Sequence, residues 1–248
     1  MRLAGRAGTS SFLRGLTVLL SFGVIGVLAT ASSTACIPDP KGDYDDFKTR
    51  TANLPQDKPV DAVDASFDSK PPETAVEALY IGICVTSLAA RDPEQALRFY
   101  TETKYVPDGA GAATGKLTLS VTPMVGWDIP GNKYITPASV SKTETRGTPI
   151  VIKDVPVDAS GRFTANLGEV NLAQETNSVS GRAAVISDAI LDGLYGAGDR
   201  FCSTLAGLLT VPYTSVFDPK QNTCLFTKAT EGSAVPKIPV TEFACNVQ

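Results

Sequence analysis

The chain contains no histidine among its 248 residues. That absence removes the usual general base near neutral pH, and with it Ser-His-Asp and Cys-His catalysis and the commonest zinc and iron sites. Tryptophan occurs once and methionine twice. Positive charge is also scarce. Arg2, Arg6 and Arg14 are the only charged residues ahead of Cys36, so 19 of the 22 basic residues face 26 acidic ones in the rest of the chain, a net charge of about −7. An acidic balance of this size implies no nucleic-acid partner. No apolar run reaches the roughly 20 residues that a permanent membrane helix needs, because the run of residues 15–29 stops short of it.

That run is one part of an export signal. Three arginines precede it, and the small residues Ala31-Ser32-Ser33-Thr34-Ala35-Cys36 follow it in place of a basic stop-transfer cluster. Two cleavage sites compete. Ala29-Thr30-Ala31 fits ordinary signal peptidase and would release a soluble product. Ser33-Thr34-Ala35-Cys36 resembles the lipobox of bacterial lipoproteins, departing from it at Ser33, where leucine is usual. The resemblance implies cleavage before Cys36 and a diacylglycerol thioether on its sulfur. Five cysteines are present, and lipidation of Cys36 leaves Cys84, Cys202, Cys224 and Cys245 as an even set for pairing in an oxidising compartment. The preferred expectation is therefore a signal peptide over 1–35 and a lipid anchor at Cys36, with the membrane as first partner. Ile37 stands where an inner-membrane retention aspartate sits in Gram-negative lipoproteins, so by the same resemblance the outer membrane is the expected location.

Residues 36–77 are rich in Pro, Asp and Lys and read as a disordered linker. A flexible chain of that length reaches on the order of 35 Å. Residues 78–248 suffice for one domain. Short stretches rich in Val, Ile, Thr, Tyr and Phe recur there between Gly, Pro, Asn and Asp, at 78–87, 97–106, 116–125, 149–157, 162–172, 181–194, 201–211 and 224–230. Leu117, Leu119 and Val121 alternate with polar neighbours, so one face of that strand is buried. Asp158-Ala159-Ser160-Gly161 reads as a hairpin turn with Gly161 at positive φ. In 183–194, Val185, Ile186, Ala189, Ile190 and Leu194 also fit a helical face, but flanking glycines favour strand. Eight strands predict an all-β antiparallel sandwich or barrel.

The Val157-Asp158-Ala159-Ser160-Gly161-Arg162-Phe163 turn resembles the hairpins of carboxypeptidase-regulatory-like surface β-sandwiches. More broadly, the segment after Cys36, the Phe201-Cys202 strand and the Cys224 strand resemble predicted bacterial surface lipoproteins of unassigned function. Neither resemblance carries an activity.

Four constellations invite chemistry. Ser139-Val140-Ser141-Lys142 matches S-x-x-K, the nucleophile motif of penicillin-binding proteins, but S-D-N and K-T-G are absent, so a polar loop is expected. Residues 111–117 mimic a phosphate-binding loop, with Leu117 where Ser or Thr should hold magnesium, and read as a turn. Asp39, Asp43, Asp45 and Asp46, and Asp57, Asp61, Asp64 and Asp68, lack calcium-loop spacing, and no metal or other cofactor is expected. Glu102, Asp128, Glu169, Asp188, Asp192 and Asp199 could supply a glycosidase pair, a separation that sequence does not give. Trp127 and Asp128 sit in a Gly/Pro loop that either stacks on a sugar or partner, or folds back on the core, the second being favoured.

The cysteines allow three pairings. The expected one joins Cys202 to Cys224 across neighbouring late strands, and Cys84 to Cys245. The functional expectation is a lipid-anchored, non-enzymatic envelope protein whose β-domain binds or scaffolds a cell-surface protein or glycan. The alternative is a histidine-free carbohydrate hydrolase working through paired carboxylates.

Overall fold

The computed structural model describes residues 69–245. The signal segment 1–35, Cys36 and the two aspartate groups lie outside them. The domain is all-β, and every long strand follows from a period-2 or continuous apolar stretch. β1 (Val76–Val85), β2 (Leu97–Pro107), β3 (Gly115–Pro123), β6 (Ile150–Val157), β7 (Arg162–Leu172), β8 (Ala184–Leu194), β9 (Arg200–Val211) and β11 (Thr223–Ala229) form one antiparallel sheet. The short pieces β4 (Trp127–Asp128) and β5 (Lys133–Tyr134) pair with each other, and β10 (Ser215–Phe217) pairs with β9. The order β6-β3-β2-β1-β11-β9-β8-β7 curls into a nearly closed barrel whose two edge strands meet at the Asp158–Gly161 turn.

That turn has the predicted chemistry. The Asp158 carboxylate accepts from the backbone N–H of Ser160 and Arg162, and Gly161 takes φ 81°. The Ser69 carbonyl lies against Gly161, and Ala197 N–H donates to Lys70 O at 2.9 Å. The N-terminal segment thus packs at the foot of the barrel, with Pro71 and Pro72 buried, and β1 starts two residues before the expected position 78.

The barrel is filled by side chains. Phe201 stacks on Phe226 with centroids 4.2 Å apart and meets Tyr80, Tyr195 and Phe163 edge-on at 4.9, 5.3 and 6.2 Å. Above this column Leu119, Val121, Ile186, Leu191 and Leu205 complete the core. The space left among Cys84, Phe99, Val121 and their neighbours is only about 20 Å³. Such an interior holds no sizeable ligand.

The 183–194 stretch is a strand, and the structure explains its helix-like spacing. Pairing with β9 shifts register between Ser187 and Ile190, and Asp188 there takes φ 51°. Ala184 and Ile186 face the core before this bulge, Ala189 and Leu191 after it. A bulge inserts one residue into the alternation, so a spacing of three appears inside a period of two.

A second apolar cluster lies on the outside. Ile81, Ile83 and Val85 of β1 and Leu225 of β11 turn outward, where Met124, Val140, Ile238 and Phe243 cover them. Residues 233–245 form a strap across this face.

The disulfide expectation is corrected. Cys84 bonds Cys224 and Cys202 bonds Cys245. The reason is face parity. Cys84 lies opposite Cys224 in the β1–β11 ladder, with Cα atoms 3.9 Å apart and both side chains inward. Cys202 lies opposite Leu225, so it shares the outer face with Leu225, while Cys224, one residue earlier, faces inward. Neighbouring strands therefore do not bring Cys202 and Cys224 together. Cys202 reaches the strap instead.

Non-reducing peptide mapping should return Cys84–Cys224 and Cys202–Cys245, and a Cys202–Cys224 peptide would refute this parity. For sequence separations of 140 and 43, chain-entropy scaling gives stabilisations of about 5 and about 4 kcal/mol. Phe201→Ala should cost about 3–5 kcal/mol in denaturant unfolding with both disulfides intact, since four rings lose their common neighbour. A cost below about 1 kcal/mol would show that the column collapses without it.

Candidate functional site

Concave surfaces of the described domain lie outside the barrel; two of them run along the strap, and a third, of about 550 Å³, opens beside residues 227–230. The first is a groove of about 510 Å³ between Ile83, Pro93, Glu94 and Arg98 on one side and Val235, Pro236, Ile238, Pro239 and Phe243 on the other. β2 positions Arg98, which is buried. Its Nη1 donates to Ala96 O at 3.1 Å, and its Nη2 to Pro93 O at 3.0 Å and Glu94 O at 3.3 Å. Burial lowers the pKa of this guanidinium, with Glu94 and Asp92 opposing the shift. Its Nε has no hydrogen-bond partner. The side chain thus fixes the turn at Pro93–Gln95 and keeps a positive charge at the groove wall.

The second groove, about 530 Å³, is more polar and is lined by Arg91, Asp192, Thr204, Lys220, Thr223 and Thr241 among others. Arg91 donates to Thr223 Oγ1 at 3.3 Å and to Phe243 O at 3.2 Å, which ties the strap to the β1–β2 loop. Phe243 lines both grooves.

Of the six carboxylates singled out in the sequence, only Asp192 lines either groove. Glu102 pairs with Lys142 at 2.8 Å, and Asp199 with Lys228 at 3.4 Å. Asp192 accepts from Thr164 Oγ1 at 3.1 Å and is the one carboxylate of the second groove; Glu94 is the one carboxylate of the first. Asp128 belongs to β4, Glu169 to β7 and Asp188 to the β8 bulge. Two carboxyl groups about 5–10 Å apart across one cleft are what glycoside hydrolysis requires, and neither groove supplies a second. Among the described residues no three His, Cys, Asp or Glu side chains are grouped to hold a metal.

The S-x-x-K segment is tied down on both sides. Val140 N–H donates to Ser233 O and Gly232 N–H to Val140 O. Ser141 Oγ donates to Glu231 Oε1 at 2.7 Å, Tyr100 Oη donates to Oε2 at 2.8 Å, and Lys142 N–H donates to Oε1 at 3.1 Å. These three bonds, the serine's first, lower the Glu231 pKa below its ordinary 4.5, which makes it a poor base. The Lys142 amine pairs with Glu102, which raises its pKa, the reverse of what a catalytic lysine needs. Ser141 caps only the short turn Lys142–Glu144. Residues 108–114, containing most of the phosphate-loop mimic, form the β2–β3 turn, closed by Thr114 Oγ1 donating to Asp108 at 2.7 Å.

Trp127 is half-buried in β4, opposite Tyr134, and its indole lies flush on Gly181, where a Cβ would collide with the ring. Ile129 and Tyr134 remain exposed beside it. Sequence reading missed Arg98 and the strap. The only signal was the continuously apolar setting of Arg98 between Leu97 and Phe99.

Glu231→Gln should lower the melting temperature at pH well above 4.5, where the carboxylate is charged in both states. Because the folded pKa is depressed, that difference from wild type should shrink as pH falls through it. A difference independent of pH between 3 and 7, an order-of-magnitude window around the carboxylate range, would show that charge is not what holds Ser141 and Tyr100. No known family model, curated protein or solved structure matches the chain.

Proposed function

We propose that this chain is an exported lipoprotein, anchored through Cys36, whose barrel domain is a binding module working through the grooves beside the strap. One observation carries the reading: the spaces found among the barrel's core side chains are only about 20 Å³ each, while open concavities of about 510, 530 and 550 Å³ lie on its outside. The disulfides indicate an oxidising, exported environment, and among the described residues no helix is long and apolar enough to cross a membrane. The lipobox-like tetrad and the even number of remaining cysteines support the anchor, and Ile37 supports the outer membrane as its site. A surface protein or glycan is the partner class this arrangement suits.

Intact-mass analysis of the membrane fraction tests the anchor: cleavage before Cys36 with added diacylglycerol is expected, and a soluble product beginning at Ser32 would remove it. Arrays of envelope glycans and peptides test the module. A ligand retained by the wild type should bind about tenfold more weakly when Ile238→Arg or Thr204→Arg fills a groove, a loss of about 1.4 kcal/mol. Turnover of a retained glycan would instead establish the hydrolase.

A further inference from the structure

The two disulfides differ in what surrounds them. Cys84 and Cys224 belong to the barrel's interior, where the space beside Cys84 is only about 20 Å³. No thiol reaches that bond while the barrel is folded. Cys202 and Cys245 sit on the outer face, and Cys245, only partly buried, lines the open second groove of about 530 Å³. Arg91 and Lys220 line the same groove against the single carboxylate of Asp192, a positive balance that favours the approach of a thiolate. Access and a cationic setting are what expose a disulfide to exchange. The order of the cysteines points the same way. The bonds interleave along the chain, so Cys84 and Cys202, the first two of the four, are not partners. The folded barrel cannot join them, because β1 and β9 flank β11, about 10 Å apart, with Cys84 facing inward and Cys202 outward. A bond between them has to be exchanged before the barrel closes, and afterwards only the outer bond stays open to exchange.

We propose that Cys202–Cys245 is a thiol-exchange site on the folded barrel, that it takes a dithiol, and that its reduction frees the strap from the outer face. A thiolate of the dithiol attacks Cys245 Sγ, the sulfur on the groove side. The bond to Cys202 breaks, Cys202 leaves as a thiolate and takes up a proton, and a mixed disulfide joins Cys245 to the reagent. The reagent's second thiol then attacks its own sulfur in that mixed disulfide and releases Cys245. Two electrons and two protons pass to the protein, and the dithiol becomes a disulfide. The strap thereby loses its covalent tie to β9. Residues 234–238 make no backbone–backbone hydrogen bond among the described residues. The remaining hold is Arg91 and Thr223 donating to Phe243 O, the Arg200–Glu242 pair, and the burial of Ile238 and Phe243. Because the strap walls the first and second grooves, the state of this one bond decides whether those grooves persist. The exchange requires neither lipid on Cys36 nor a ligand in a groove.

The test uses the exported chain with its native disulfides, and dithiothreitol as the dithiol. In native buffer, alkylation mapped by peptide should show Cys202 and Cys245 opening about tenfold or more faster than Cys84 and Cys224, because the inner bond waits for unfolding. Labelling of Cys245 reports the exchange. Labelling of Cys202, which is 1 % exposed beneath the strap, reports that the strap has lifted. The amides of Glu242 and Phe243, which donate to Pro239 O and Val240 O, should then exchange with deuterium about tenfold faster than in the oxidised protein. Cys202→Ser with Cys245→Ser should show the same fast exchange without reductant while the Cys84–Cys224 peptide remains, which reports an intact barrel. Opening of all four cysteines at one rate, or of none short of denaturant, would overturn the proposal, since reduction then follows global unfolding. So would labelling of Cys245 with Cys202 protected and the strap amides unchanged, and so would a double variant that no longer forms Cys84–Cys224.

Discussion

The stack of Phe201 on Phe226 sets the dimensions of the barrel. Two parallel rings 4.2 Å apart, ringed by Tyr80, Tyr195 and Phe163, fill the lower interior, and neighbouring strands must give way to them. Gly82 has no room for a side chain, because a Cβ there would lie 2.7 Å from the Phe226 ring, and the same distance separates a Cβ at Gly193 from Phe163. Large rings on β7, β9 and β11 thus require minimal residues on β1 and β8. A core packed in this way tolerates little change in volume. Burial pushes the Tyr80 and Tyr195 hydroxyls above their ordinary 10.0, so both remain neutral in the physiological range.

β1 carries two cores at once. Its inward side chains belong to the barrel, and its outward Ile81, Ile83 and Val85 belong to the cluster under the strap. Each face has its own disulfide. Cys84–Cys224 locks neighbouring strands on the inside, and Cys202–Cys245 pins the chain's end on the outside. The strap has no ladder with the sheet. It is held by Arg91 and Thr223 donating to Phe243 O, by Arg200 pairing with Glu242 at 2.5 Å, and by apolar burial. Hence the grooves are gaps between a regular sheet and an irregular segment, and their shapes follow from where the prolines of that segment bend it.

This division explains what was legible in the sequence. Strands announce themselves because alternation is local, so all eight long strands and the Asp158–Gly161 turn could be read directly, β7 to the residue. Pairing between strands is not local. The expectation that Cys202 and Cys224 meet used strand adjacency correctly, since β9 and β11 do pair, but ignored the face each side chain takes. One residue of register separates a disulfide from a miss. The grooves were illegible for a stronger reason: residues 235–243 have no periodicity, and Arg98 gains its role only from a turn that brings Pro93, Glu94 and Ala96 carbonyls around it.

The polar residues that suggested catalysis are engaged in holding irregular backbone. Ser141, Tyr100 and Glu231 join the loop after β5 to the start of the strap, Lys142 spans to Glu102 on β2, and Ser178 Oγ donates to Gln95 O and Ala96 O, joining the β7–β8 loop to the turn that Arg98 secures. A histidine-free chain has few side chains able to change protonation near pH 7. These clusters therefore keep one charge state across the neutral range, with Glu231 displaced downward and Lys142 upward. Groups driven away from neutrality in opposite directions make a stable fastening, and proton transfer at neutral pH requires the converse. Beside these fastenings the first groove takes its shape from the buried Arg98 and from the strap that Cys245 holds in place.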